Sequence, residues 1–257
     1  NPVVSNGSAM STPFVKKRLK AIRSRGRLVV VDPRRSETAE LADQHIPLMP
    51  GTDALLLAAM IHTIFAEGLT RLEQLGPMTE GLEALERAVA PFAPERVAGA
   101  CGVEAAVIEQ LARDFAAADR AVCYGRMGTC TQPFGTLATC LVDAVNVITG
   151  NLDRVGGAMF TTPAIDLGGL AAALGQKGSF GAFHSRVSGY PEFNGELPVA
   201  ALAEEIETPG TGQIRALLLH AGNPVLSTPQ GKRLDEALAG LDFVVAIDIY
   251  KNETTRH

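Results

Sequence analysis

The chain has 257 residues, 46% hydrophobic and 20% charged, enough apolar material for one large or two medium cores and too little charge for a disordered segment. Its net charge of −5 argues against nucleic acid as the main partner. The longest apolar run, Ala54 to Phe65, is interrupted by His62 and Thr63 and is too short to span a bilayer, and no signal peptide is visible.

The chain opens on Asn1-Pro2 without a methionine and stops at Thr255-Arg256-His257, in both places inside what reads as a motif. It is therefore expected to be a fragment of a longer polypeptide. A helix is predicted after Thr12, a suitable N-cap, with Pro13 at its first position and Gly26 beyond its end. Val15, Leu19 and Ile22 form its apolar stripe, and Lys16, Lys17, Arg18, Lys20 and Arg23 surround it. That basic run reads as a solvated face rather than a phosphate or RNA patch. Arg27 to Val31 predicts a buried parallel strand ending at Asp32-Pro33. A helix is expected from Arg34, then a short apolar segment, Ile46 to Met49, and a turn at Pro50-Gly51-Thr52-Asp53. A long helix follows from Ala54 to about Gln74, with amphipathic helices over Met78–Val89 and Val103–Ala118. Arg120 to Tyr124 predicts a strand, Gly125 to Gly128 a loop, and Phe134 to Ile148 a helix. Periodicity fails from Gly150 to Gly195, and the domain change is placed there. The tail then predicts a short helix (Val199–Glu207), a strand (Ile214–His220), a turn at Gly222-Asn223-Pro224, a helix from Pro229 to about Gly240 and a strand (Phe243–Ile249). This alternation predicts an α/β fold, with Rossmann-like parallel sheets flanked by helices. Residues 1–158 form the first α/β unit, 159–212 a Gly-rich connecting segment and 213–257 part of a second α/β unit.

Cys101, Cys123, Cys130 and Cys140 include no C-x-x-C pair, so they are expected to be buried free thiols rather than zinc or iron–sulfur ligands. They fit a reducing, cytoplasmic setting. The sequence also repeats itself. Residues 11–38 recur 216 positions later: Ser11-Thr12-Pro13 as Ser227-Thr228-Pro229, Lys16 as Lys232, Val29 as Val245, Asp32 as Asp248, Glu37-Thr38 as Glu253-Thr254. Upstream, Asn1-Pro2-Val3-Val4-Ser5 matches Asn223-Pro224-Val225-Leu226-Ser227, with six extra residues in the first copy. Each copy reads as turn, helix, strand and an acidic residue at the strand end, where ligands of open parallel sheets bind. The Asn-Pro turn would offer backbone N–H groups to a phosphate. Two nucleotide sites are implied, or one ligand across a related pair. The G-x-G-x-x-G, P-loop and G-x-S-x-G signatures are all missing.

At Val31-Asp32-Pro33-Arg34-Arg35-Ser36-Glu37-Thr38-Ala39, followed by Ala42 to Leu48 and Pro50-Gly51-Thr52-Asp53, the chain resembles catalytic subunits of molybdopterin oxidoreductases of the dimethyl sulfoxide reductase superfamily. Formate dehydrogenases and nitrate reductases belong to that superfamily. Asn1-Pro2, Met127-Gly128, Thr149-Gly150-Asn151-Leu152, Gly222-Asn223-Pro224 and Asp248 extend the resemblance along nearly the whole chain. It implies two related α/β domains holding a pair of molybdopterin guanine dinucleotides, with molybdenum or tungsten between the pterins. Asn1, Ser5, Asp32, Pro33, Arg34, Ser36, Gly51, Thr52 and Asp53 would then serve the first dinucleotide, and Asn223, Asp248 and Lys251 the second. Met127, Gly128 and Thr131 would lie near the pterins, although many members carry Gln where Thr131 stands. The resemblance places the metal ligand and any iron–sulfur segment upstream of Asn1, and a closing C-terminal domain beyond His257. The fragment alone is accordingly expected to be without redox activity and able to exist apo. The implied partners are the remaining domains of the parent chain, electron-transfer subunits and a small-molecule redox substrate.

Bland readings stand beside these. Asp32 could merely cap a helix, Arg34 could be a surface cation, and Gly51-Thr52-Asp53 could be a turn with an N-cap. His45 reads as a structural histidine, and His184 and Arg186 are weaker substrate-facing candidates. A non-catalytic relative of the kind found in respiratory complex I, or a generic α/β nucleotide-binding protein, would also fit parts of the pattern.

Overall fold

Burial of one apolar helix organises the first half of the molecule. The computed structural model describes residues 1–5, 12–72, 75–176 and 178–257, which fall into two units, Asn1–Thr161 and Thr162–His257. In the first, α1 (Pro2–Ser5) and α2 (Val15–Arg23) precede β1 (Val29–Val31), a 3-10 turn (Ala39–Leu41) and β2 (Gln44–Ile46). Then come α3 (Asp53–Ala66), α4 (Leu82–Val89), α5 (Pro94–Cys101), α6 (Ala105–Ala117), α7 (Met127–Cys130) and α8 (Gly135–Ile148). α3 packs against α4, α5, α6 and α8, which is why its sequence is apolar nearly all round. Ile61, Ile64, Ile108, Val145 and Ile148 are fully buried there, each worth about 1.5–3 kcal/mol in apolar burial. β1 and β2 run parallel, Val29 opposite Gln44 and Val31 opposite Ile46.

The second unit contains α9 (Leu167–Ala173), an antiparallel hairpin of β3 (Phe180–His184) and β4 (Pro191–Phe193), α10 (Leu202–Glu207), β5 (Ala216–His220), α11 (Pro224–Ser227), α12 (Gly231–Leu238) and β6 (Phe243–Ile247). β5 and β6 are parallel over five residue pairs. Ala203, Ile206, Leu234, Ala237 and Leu238 form a small core beneath them. The fold is thus α/β, with parallel strand pairs flanked by helices, as the alternation predicted.

Several boundaries differ, each for a physical reason. The first helix begins at Val15, not at Pro13, because Phe14 adopts a left-handed conformation (φ 56°). Ser11 and Gln74 lie outside the described residues. The long helix stops at Ala66, where Gly68 turns left-handed (φ 64°) and the Leu69 N–H returns to the Ile64 carbonyl. No helix starts at Arg34: the Asp32 carboxylate captures the Arg34 N–H (2.9 Å) and the Ser36 hydroxyl (3.0 Å), a local competitor of helical bonding. Arg120–Tyr124 is not a strand. Its Ala121 and Cys123 N–H groups donate to the side chains of Asn151 (3.1 Å) and Asn146 (2.9 Å). The stretch expected to be irregular holds the β3–β4 hairpin, where the fully buried Glu192 accepts from Ser179 and from the N–H groups of Ala182 and Gly195. Of the cysteines expected to be buried, Cys130 and Cys140 are exposed.

Candidate functional site at the strand ends

In the first unit, β1 delivers Asp32 to the sheet's carboxyl end, and the loop behind it turns back to the Asn-Pro turn. Asn1 Nδ2 donates to Glu37 (2.5 Å), the Thr38 hydroxyl donates to Asn1 Oδ1 (2.8 Å), and the Val3 N–H donates to Thr38 Oγ1 (3.0 Å). In the second unit the same atoms do the same things. Asn223 Nδ2 donates to Glu253 (2.8 Å), the Thr254 hydroxyl donates to Asn223 Oδ1 (2.7 Å), and the Val225 N–H donates to Thr254 Oγ1 (3.1 Å). Asp248 accepts from the Tyr250 N–H (3.0 Å) and from Asn252 Nδ2 (3.3 Å), as Asp32 does from Arg34 and Ser36. Thr38 and Thr254 are buried in their respective units. The Glu37 carboxyl is held below the usual glutamate range by its own backbone N–H and by Asn1; that of Glu253 is held low by Asn223 and then by its backbone N–H.

The short helices have a common shape as well. Ser5 and Ser227 hydroxyls donate to the carbonyls of Asn1 and Asn223 (3.2 and 3.0 Å). α2 and α12 each follow a proline and a left-handed residue, Phe14 (φ 56°) and Gln230 (φ 57°). The arrangement occurs a third time at Met127–Gly135, which sequence comparison did not reveal. There the Thr131 hydroxyl donates to the Met127 carbonyl (2.7 Å), and Phe134 (φ 61°) follows Pro133 and opens α8. Space is tight at these openings: a Cβ on Gly135 would lie 2.1 Å from the Cys130 carbonyl oxygen, and one on Gly231 1.9 Å from that of Val225.

The expected site residues separate into two groups. Asp32, Arg34, Asp248 and Lys251 are accessible at the strand ends, and each Asp oxygen keeps acceptor capacity beyond its single internal bond. Arg34 extends into solvent and approaches Glu37 at 3.6 Å. Pro33 is exposed in the same loop. Ser36, by contrast, is 1% exposed and orients Asp32. Asn1 and Asn223 are tied into the loops. The N–H groups of the Asn-Pro turns, expected to face a phosphate, are spent internally: those of Val4 and Ser5 on Asn1, those of Leu226 and Ser227 on Asn223, and those of Val3 and Val225 on the threonines.

Gly51 (φ 82°) and Thr52 precede α3 and Asp53 is its first residue, and Gln132 joins them to the central turn. Its Nε2 donates to Asp53 Oδ2 (2.8 Å) and to the Gly128 carbonyl (3.1 Å). Met127, Gly128 and Thr131 therefore share a surface with the Gly51–Asp53 turn. Glu37, Thr38, Gln132, Glu253 and Thr254 were not singled out as site residues; only the matched Glu-Thr pairs of the repeat signalled four of them. His45 hydrogen-bonds the Asp32 carbonyl (2.8 Å), a structural role. Arg186 pairs with Glu205 at 3.2 Å and caps the Thr208 carbonyl, so it braces the hairpin loop against α10. Among the described residues no group of three or more His, Cys, Asp or Glu is placed to hold a metal ion, and no helix is long and apolar enough to cross a membrane.

Twice, a fixed carboxylate with spare acceptor sites opens a loop that also carries an accessible cation, Arg34 in the first unit and Lys251 in the second. A sequence model of the family Molybdopterin oxidoreductase matches residues 6–257. The chain is 28% identical to the F420-dependent formate dehydrogenase subunit alpha of Methanocaldococcus jannaschii, over 99% of its own length and 39% of the relative's. It is 28% identical to formate dehydrogenase H of Escherichia coli (96% and 36%) and 26% identical to a nitrate reductase of Klebsiella oxytoca (98% and 30%). Among solved structures it resembles the acetylene hydratase of Pelobacter acetylenicus, with a TM-score of 0.74 and 25% identity over 91% of this chain and 36% of that one. The chain thus spans well under half the length of these relatives.

Proposed function

Because the chain belongs to the molybdopterin oxidoreductase family, we propose that its two strand-end loops hold the guanine ends of a pair of molybdopterin guanine dinucleotides. The observation that carries this reading is the recurrence, in both units, of one hydrogen-bonded loop with its carboxylate fixed and still able to accept. A guanine edge presents adjacent N–H donors, which a carboxylate accepts in pairs. Arg34 would pair with phosphate through its planar fork and Lys251 as a point charge. Gly51–Asp53 and the Met127–Gln132 turn would line the path of the first dinucleotide towards its pterin.

The bound cofactor, with molybdenum or tungsten, would supply two-electron chemistry. The side chains of this chain would bind and orient it, and none is assigned a catalytic role. The polypeptide that contains the chain would then be an oxidoreductase acting on a small molecule, with its metal ligand and any iron–sulfur cluster held by other segments. Several relatives are named as alpha subunits, which supports electron-transfer subunits as partners.

The test is direct. The full polypeptide, isolated with its cofactor, should release guanine nucleotide on acid hydrolysis, together with molybdenum or tungsten. Asp32→Asn and Asp248→Asn should each lower the guanine content, since an amide replaces one acceptor oxygen with a donor. Isolation of a flavin or nicotinamide instead, or of a metal-free protein without guanine, would refute the reading.

A further inference from the structure

The feature the proposed function leaves unused is the pair of buried threonines. Thr38 is 3% exposed and Thr254 fully buried, so within its unit each has little or no surface for a ligand. Yet each hydroxyl is fully employed, donating to an asparagine side chain and accepting a backbone N–H. In sequence, Thr38 lies six residues after Asp32 and Thr254 six after Asp248. Each closes the loop whose opening residue is the strand-end carboxylate.

We infer that Thr38 and Thr254 are positioning residues, each setting its strand-end Asp for one guanine by locking the loop to the Asn-Pro turn. This role for the threonines rests on the two loops holding guanine, as proposed above. The Asp32 and Asp248 carboxylates are held by bonds to residues two and four positions ahead, within the loop itself, while the Asp32 backbone is joined to β2 through its N–H to the Ile46 carbonyl and its carbonyl to His45. Those bonds hold the loop at its opening and leave its far end to be fixed by other contacts. In each unit, the far end of the loop is tied down by the threonine hydroxyl and by the neighbouring glutamate on the same asparagine. A hydroxyl at this position does two tasks that no apolar residue of the same shape can do. Serine, which keeps the hydroxyl, can do both. The flanking details differ: Ser36 and Arg34 stand in the first loop where Asn252 and Tyr250 stand in the second. The Asn–Thr–Glu tie is the part common to both, as expected if it serves a task shared by the two half-sites.

The experiment uses the full polypeptide with its bound cofactor. Guanine released by acid is counted per chain for wild type, Thr38→Val, Thr254→Val and the corresponding serine variants. Amide hydrogen exchange at Val3 and Val225 reports the tie itself. Each valine variant should lose one of the two guanine equivalents and expose the matching amide, Val3 for Thr38 and Val225 for Thr254; each serine variant should keep both. Full guanine retention in a valine variant whose amide has lost protection would overturn the inference. So would loss of guanine in the serine variants with amide protection intact. If a valine variant does not fold, the serine variant and a milder Asn223→Ser decide by the same two readouts. Absence of guanine from the wild type would instead sink the cofactor reading itself.

Discussion

Replacing Asn146 by alanine tests the account of the first unit's core most severely. Asn146 is 1% exposed. Its Oδ1 accepts the Cys123 N–H (2.9 Å), and its Nδ2 donates to the Cys123 carbonyl (2.9 Å) and the Val142 carbonyl (3.0 Å). Alanine leaves both polar groups of Cys123 without that partner; the Val142 carbonyl keeps its place in α8 and loses only a second donor. Each buried group stranded in this way costs about 1–3 kcal/mol, so a loss of about 3–4 kcal/mol is expected. With a urea dependence of about 2 kcal/mol per molar, the midpoint of the first unit's transition should fall by about 1.5–2 M. The assay is urea unfolding followed by circular dichroism, with amide exchange at Cys123 as the local reading. A midpoint shift under about 0.3 M, or unchanged protection at Cys123, would mean that the 120–124 segment is held by something other than these amides.

Three further outcomes are expected. Gly231→Ala ordinarily favours a helix by about 1 kcal/mol, but here the new Cβ would meet the Val225 carbonyl oxygen at 1.9 Å. Net destabilisation of about 2 kcal/mol or more should appear in urea melts, and a stabilised variant would contradict the packing of α11 on α12. The second concerns pH. The Glu37 and Glu253 carboxyls titrate below their ordinary range when folded, so their stabilisation is present above the unfolded value of about 4.3 and is lost as pH falls through the lower folded value. Urea midpoints should therefore drop below about pH 4, and Glu37→Gln with Glu253→Gln should flatten that acid limb; an unchanged limb would count against the two ties. The third concerns thiols: burial pushes Cys123 up to about 12 and raises Cys101 as well. At pH 8 a thiol reagent should label the exposed Cys130 and Cys140 and spare the other two until the protein is unfolded; mass mapping of the labels checks this.

What the sequence disclosed follows from how far each residue reaches. Val29–Val31 and Ala216–His220 are apolar runs whose neighbours along the chain say what they are, and Asp32 and Asp248 mark where they end. The matched Glu-Thr pairs were visible as a repeat. Their purpose was not, because Thr38 answers to Asn1, thirty-seven residues away. Arg120–Tyr124 misled because its pattern is that of a strand while its partners are two side chains on or just after α8. The third copy of the turn was hidden for another reason. Across Thr12-Pro13-Phe14, Gln132-Pro133-Phe134 and Thr228-Pro229-Gln230 proline is the one identity common to all three, and what unites them is the left-handed backbone angle that follows it. Glu192 showed the reverse problem: a charged residue in a Gly-rich stretch signals solvent, yet here three donors fix it inside a hairpin.

The two asparagines that hold the 120–124 segment have a bearing on how the protein avoids its own copies. An extended segment with unpaired amides is a template to which another chain can add by strand pairing. Along the side of this segment that carries Ala121 and Cys123, Asn151 and Asn146 already occupy the donors, and Asn146 returns a bond to the Cys123 carbonyl. The side-chain amides imitate part of the edge of an adjacent strand without supplying one, and the groups they cap are closed to recruitment. Losing either asparagine would uncover amides on this side, so such a variant should gain a site for strand pairing with another chain as well as lose stability.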